Sequence, residues 1–367
     1  MITKRDGSVA QDVPPGLSYA GVCKRYGQFT ALDGISLDVG PREFVTLLGP
    51  SGSGKSTLLG LAVGGIEADA GHIAIRGVDV RRLKPHDRNI GMVFQRYSLF
   101  PNKTVEENIA YPLQIRKIPK PEVAARVAAI VQTMGLSAQA ARYPAEISGG
   151  QAQRVAVARA LVFNPDLLLM DEPLGALDKR LRADLQQEIR RLQHEFGIPT
   201  LYVTHDQDEA MYLSDRIALF NHGRIVALGT PRELYENPAS AWEASFLGDA
   251  NLFAAEDIRI SGGECSAVLT GLGVTVRTRS PRTQHEHMQV MIRPEYVHIG
   301  DNVRDDMTRF KARVIDVIYL GARQRVTLEL PGAIRLIAEL RPWETPGEPG
   351  AEVLCGWRDH HSRVVEA

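Results

Sequence analysis

The run Gly49-Pro50-Ser51-Gly52-Ser53-Gly54-Lys55-Ser56-Thr57 joins the residue types needed to grip a polyphosphate. Gly49, Gly52 and Gly54 can take positive φ and let backbone N–H groups close on a ligand. Successive N–H groups at a helix N-terminus then form an anion nest. Lys55 adds a full charge for the β- and γ-phosphates, and the Ser56 hydroxyl is a hard oxygen suited to Mg²⁺. The pattern G-x-x-x-x-G-K-[ST] has this meaning only between a strand and a helix. Here the apolar run Phe44–Leu48 precedes it and Thr57-Leu58-Leu59 follows. A plain glycine-rich turn would not need every position and both flanks, so a nucleoside triphosphate is the expected ligand.

Two further segments could act on that nucleotide. Leu167-Leu168-Leu169-Met170-Asp171-Glu172 is an apolar strand that ends in two carboxylates. In a parallel sheet such a tip faces the crevice where ligands lie. Asp171 would hold a magnesium shell and Glu172 would polarise an attacking water. Ile147-Ser148-Gly149-Gly150-Gln151 opens a helix, with Ser148 and Gln151 spaced as a capping box. Gly149 and Gly150 leave its first N–H groups bare, which makes a second anion site. One phosphate chain does not need two such sites from one subunit, so the second is expected to serve a nucleotide held by another copy.

The elements that must position these groups follow from the patterning. From Leu17 to about Ala241 strands alternate with helical segments, the signature of an α/β fold with a parallel sheet. Strands are expected at Phe44–Leu48, His72–Arg76, Leu167–Asp171 and Thr200–Thr204. Leu181, Leu185, Ile189, Leu192 and Phe196 recur every three or four residues and predict one buried helical face. Residues 218–227 read as a hairpin about Asn221-His222-Gly223. Between about 96 and 162 the chain turns helical, with Pro119–Pro121 expected as a linker before a helix over Pro121–Met134. Beyond Trp242 the period becomes two, at Val274-Thr-Val-Arg-Thr and on either side of Pro331-Gly332, which predicts a small all-β domain closed as a barrel. Residues 1–16 are expected to be a disordered leader.

The 367 residues carry 43 Lys and Arg against 44 Asp and Glu, so no net field recruits nucleic acid. The three cysteines, Cys23, Cys265 and Cys355, are far apart and suit a reducing compartment. His285-Glu286-His287 and His360-His361 have no third ligand at regular spacing and read as polar loop and tail.

Together the motifs resemble the ATP-binding subunit of an ABC transporter. Gly49–Thr57 is similar to the Walker A loop, Val93-Phe94-Gln95 to the Q-loop, and Leu167–Glu172 to Walker B. Ile147–Gln151 resembles the signature L-S-G-G-Q with isoleucine for leucine. Leu174-Gly175-Ala176-Leu177-Asp178 resembles the D-loop with glycine where serine is commoner. Thr204-His205-Asp206 resembles the switch-histidine segment, and Tyr26 occupies the position of the aromatic that stacks on adenine. The resemblance implies a P-loop NTPase core of RecA-like type with a helical subdomain, then a C-terminal OB-like regulatory domain. It implies ATP and Mg²⁺ bound by Tyr26, Gly49, Pro50, Ser51, Gly52, Ser53, Gly54, Lys55, Ser56 and Thr57. Ser148, Gly149, Gly150 and Gln151 would come from the second copy of a homodimer. Ser56, Gln95 and Asp171 would face the metal. Glu172 would be the general base, His205 would bond the γ-phosphate, and Lys55 and Gln95 would assist.

The tail narrows the family branch. Phe246–Phe253, Ile292-Arg293-Pro294-Glu295 and Tyr319-Leu320-Gly321 resemble the regulatory domain of bacterial importer ATPases. The implied partners are two transmembrane permease subunits, gripped near Tyr97–Pro101, and indirectly a periplasmic or lipid-anchored substrate-binding protein. The implied place is the cytoplasmic face of the bacterial inner membrane, held peripherally. Length and junction lean to spermidine/putrescine import. Ferric iron, phosphonate, sulfate/thiosulfate and sugar import remain open, since substrate choice lies in the permease and binding protein. A soluble ABC ATPase of DNA repair or translation is the reading of another class, but the chain shows neither a long coiled-coil insertion nor a second cassette. A module that binds ATP without hydrolysis is disfavoured by the presence of both Glu172 and His205.

Overall fold

The computed structural model describes residues 14–175, 179–261, 264–279 and 287–367. Most of the expected leader, Ala176-Leu177-Asp178 of the D-loop segment, and His285-Glu286 lie outside the described residues. The chain divides into two units, Met1–Pro231 and Arg232–Ala367.

In the first unit, β1 (Leu17–Tyr26), β2 (Phe29–Val39), β4 (Ala70–Ile75) and β5 (Val78–Asp79) form an antiparallel sheet in the order β2-β1-β4-β5. A six-stranded sheet runs β10-β9-β3-β8-β7-β6. Its strands are β3 (Phe44–Leu48), β6 (Ile90–Val93), β7 (Leu167–Asp171), β8 (Thr200–Thr204), β9 (Arg216–Asn221) and β10 (Arg224–Gly229). All pairs from β9 to β6 are parallel; β10 returns antiparallel through His222-Gly223, both at positive φ as a tight hairpin turn requires.

The central strands are buried on both faces, which is why they are nearly continuous apolar runs. Val45, Leu47, Leu167, Leu169, Leu201 and Val203 face a core shared with the antiparallel sheet and α1 (Lys55–Val63). Phe44, Leu168, Met170 and Tyr202 face the opposite core. That core is filled by α2 (Val105–Ile115), α3 (Lys120–Thr133), α4 (Gly149–Leu161) and α5 (Lys179–Phe196). A short α6 (Gln207–Leu213) follows β8.

Two expectations are corrected here. Phe196 ends α5 at 38% exposure, because the helix stops before its apolar stripe completes another buried turn. Pro119–Pro121 is no separate linker: Pro119 is the N-cap of α3 and Pro121 belongs to its first turn, where a missing N–H costs nothing.

The second unit begins with α7 (Pro231–Glu236) and α8 (Ala241–Phe246). The Arg293 guanidinium donates to Tyr235 O (3.0 Å) and Ala244 O (2.7 Å) and ties both helices to the β-domain. The strands β11 (Asn251–Ser261), β12 (Glu264–Leu269), β13 (Val274–Arg279), β14 (Met288–Ile292) and β20 (Arg363–Glu366) close a barrel. A five-stranded sheet runs β15-β19-β16-β17-β18. Its strands are β15 (His298–Ile299), β16 (Thr308–Tyr319), β17 (Gln324–Leu330), β18 (Ile334–Leu340) and β19 (Glu352–Trp357). Only half of this domain closes, and both halves share one core around Trp357 and Phe253.

Candidate nucleotide-binding site

Strand β3 delivers its last residue, Leu48, directly into the glycine-rich loop, and α1 starts at Lys55. The loop is glycine-rich for steric reasons. A methyl group on Gly49 would overlap the carbonyl oxygen of Phe220, and one on Gly54 the carbonyl oxygen of Ala31. Gly52 and Gly54 also take φ of 78° and 110°, which side chains resist.

A cavity of about 390 Å³ is lined by Tyr26, Phe29, Ala31, Ser51, Gly52, Gly54, Lys55, Ser56, Thr57 and Glu172. Lys55 is 5% exposed. Its Nζ donates to Gly49 O and Pro50 O, both at 2.8 Å, and lies 3.4 Å from Ser53 Oγ. Burial pulls the Lys55 amine below its ordinary value, while the charges of Glu172 and Asp171 oppose this. Ser56 Oγ lies 3.3 Å from Asp171 Oδ1. Burial pushes the Asp171 carboxyl up and Glu172 adds to this, against the Ser56 hydrogen bond and the Lys55 charge.

Glu172 gathers the remaining groups. Gln95 Nε2 donates to its Oε2 at 3.3 Å, and His205 Nδ1 is 3.2 Å from its Oε1. Its φ is 42°, a left-handed conformation that costs a non-glycine residue roughly 1 kcal/mol. The Glu172 N–H bonded to Val203 O at 2.9 Å holds it there. Lys55 and Glu172 thus line the cavity, while Asp171 joins it through Ser56, and Gln95 and His205 through Glu172, a set able to bind a polyphosphate and move a proton beside it.

Ser148, Gly149, Gly150 and Gln151 do not line this cavity. They start α4, where Ser148 Oγ accepts from Gln151 N (3.4 Å) and Ser148 N donates to Gln151 Oε1 (2.9 Å). A side chain on Gly150 would collide with Leu181. After Gln95, Tyr97 and Ser98 are both left-handed, with φ of 57° and 47°. Arg159 of α4 holds the turn, its two Nη atoms donating to Tyr97 O and Ser98 O at 2.7 Å each.

Phe29 was not singled out from the sequence. It lines the cavity because the two-residue turn Gly27-Gln28 pairs it with Tyr26 across the β1–β2 hairpin. The spacing Tyr-Gly-x-Phe could have shown it. In the β-domain, His361 stacks on Tyr296 (centroids 4.0 Å apart) beside His360. Burial first, then His360 and Arg358, push the His361 imidazole down to about 4. Among the described residues no group of three His, Cys, Asp or Glu could hold a metal.

The family model for the ABC transporter matches residues 32–175, and the TOBE domain model matches residues 290–365. The chain is 41% identical to "Spermidine/putrescine import ATP-binding protein PotA 2" of Pseudomonas aeruginosa, covering 96% of this chain and 99% of the relative. It is 46% identical to "Sulfate/thiosulfate import ATP-binding protein CysA 2" of Chromobacterium violaceum, over 89% and 88% of the two. Among solved structures, a dimeric bacterial ABC transporter cassette is similar at 32% identity and a TM-score of 0.53, covering 59% of this chain and 99% of that one. A part of the cbiONQ ABC transporter complex from Clostridium perfringens is similar at 28% identity and 0.57, covering 60% and 90%. The similarity thus runs through the loop, the carboxylate strand and the β-domain alike, and the chain belongs to the ABC transporter family, as an ATP-hydrolysing cassette followed by a TOBE domain.

Proposed function

We propose that this ATPase drives import of spermidine or putrescine. The observation that carries the reading is similarity to spermidine/putrescine import ATP-binding proteins along 96% of the chain, β-domain included. Sulfate or thiosulfate import is the second reading, favoured by the relative of 46% identity.

In the proposed mechanism two copies sandwich two ATP molecules. Gly49 to Thr57 of one copy face Ser148 to Gln151 of the other, and Tyr26 with Phe29 stacks on the base. Lys55 gives up its bonds to Gly49 O and Pro50 O and takes up the phosphates. Ser56 Oγ and Asp171 Oδ1, 3.3 Å apart, are hard oxygens that would hold Mg²⁺, with the amide oxygen of Gln95, whose nitrogen bonds Glu172, as a further ligand. The ion, when bound, neutralises charge on the phosphate oxygens. Glu172 takes the proton of the attacking water, and His205 bonds the γ-phosphate. Catalysis then rests on positioning and charge stabilisation.

No helix of the described residues is long and apolar enough to cross a membrane, so the membrane step belongs to partners. The apolar groove of Phe94, Phe100, Tyr111, Pro112 and Phe163 would seat one permease subunit on each of the two copies, at the cytoplasmic face of the inner membrane. A periplasmic or lipid-anchored binding protein would deliver the substrate.

The test is ATPase activity of vesicles holding this chain with its permease, with and without loaded binding proteins. Stimulation by a polyamine-loaded protein alone supports the first reading, and by a sulfate-loaded one the second. Glu172→Gln should still bind ATP while turnover falls on the order of a thousandfold. Undiminished turnover in that variant would sink the general-base role.

A further inference from the structure

His205 reaches Glu172, yet its side chain is 57% exposed, so little packing holds it. Its backbone must be held instead. Beneath it is a buried carboxylate that the proposed chemistry does not use. Glu209, 2% exposed, accepts on Oε2 from Tyr202 OH and from Thr204 Oγ1, both at 2.8 Å. The Asp206 N–H donates to the same Thr204 hydroxyl at 3.0 Å. Asp206 Oδ1 accepts from Glu209 N (3.0 Å), and its Oδ2 accepts from Arg182 Nη1 (2.8 Å). Arg182 Nε is also 3.9 Å from Glu209 Oε1. Both chain neighbours of His205 are therefore fastened to one polar cluster. Arg182 brings that cluster into α5, the helix that follows the Walker B strand.

Burial pushes the Glu209 carboxyl up, so the fold carries a desolvated acid where an apolar side chain would pack at lower cost. A cluster kept only for stability has little reason to bear that cost. We infer that Arg182 and Glu209 are positioning residues for His205: they lock residues 204–206 to α5 and keep the imidazole within reach of Glu172 and of the γ-phosphate. The inference rests on the reading of His205 as the γ-phosphate contact.

The full chain carrying Arg182→Ala, Arg182→Lys or Glu209→Gln, each alone and with His205→Ala, tests it. Arg182→Ala should lower kcat about tenfold with the KM for ATP held within about twofold, and Arg182→Lys should recover part of the loss. In the His205→Ala background Arg182→Ala should cost nothing more, since residues acting through one group are not additive. A second readout needs no turnover. In Glu172→Gln, calorimetry should show that Arg182→Ala and His205→Ala each weaken ATP but not ADP, and together no further. Additive losses, or equal weakening of ATP and ADP with a fallen thermal midpoint, would overturn the inference. If His205→Ala alone changes neither turnover nor the ATP preference, the γ-phosphate reading fails and this inference falls with it.

Discussion

Two of the buried cations, one taken from each unit, use the same chemistry to different ends. Lys55 in the cassette and Arg293 in the β-domain are 5% and 1% exposed, and both donate to backbone carbonyls. Lys55 bonds the carbonyls of its own loop, Gly49 and Pro50, which a phosphate can replace. Arg293 bonds carbonyls of a separate segment, at Tyr235, Ala244, Gly248 and Asp249, which nothing replaces. Its guanidinium also lies over the Tyr235 ring at 4.1 Å. A buried charge whose partners can be exchanged serves binding; one whose partners are fixed serves architecture.

Substitutions should separate the two. Lys55→Met should weaken ATP binding on the order of a hundredfold, the worth of two charge-assisted bonds, without lowering thermal stability. Calorimetry with ATP, alongside thermal unfolding, measures both. A large loss of stability would place Lys55 with Arg293. Arg293→Met should destabilise the β-domain by about 3 kcal/mol, since it leaves several carbonyls buried without donors. All three tryptophans, Trp242, Trp343 and Trp357, belong to the second unit, so tryptophan emission during unfolding reports on it alone. Unchanged emission-monitored unfolding would break the architectural reading.

The smallest effect concerns pH. Folded His361 stays neutral down to about 4, whereas in the unfolded chain it takes a proton near 6.5. Between those values the unfolded state binds more protons, so the β-domain should lose stability as pH falls through that window. His361→Phe, which keeps the stack on Tyr296, should flatten that slope. A slope unaltered by the substitution would point to other groups.

Much of the cassette was legible because nucleotide chemistry demands residue types in short runs. β3, β7 and β8 fall where their apolar runs predicted, since strands buried on both faces are dominated by apolar residues, with the few buried threonines among them tolerated. The contact of Ser148 with Gln151 is local, so its spacing alone announces it. Phe29 was missed because its place beside Tyr26 depends on a hairpin turn. Arg182 was missed because Asp206, its partner at the start of α6, is reached only by packing α5 beside α6. The tie of α7 and α8 to the β-domain was hidden because Arg293, which makes it, lies far along the chain.

By itself the sequence determined which groups are proposed to meet the nucleotide, the alternation that makes a parallel sheet, and the change of period that starts the β-rich part of the chain. These are local properties: glycine for close backbone approach, a lysine at the head of the helix after the loop, carboxylates at a strand tip. The tertiary structure alone decided that Glu172 would be left-handed beneath Gln95 and His205, and that Arg159 and Arg182 would each brace a loop on a helix. It also decided that only half of the β-domain would close into a barrel. Each of these depends on groups far apart in the chain meeting at angstrom distances, and only the packing of whole elements sets such distances.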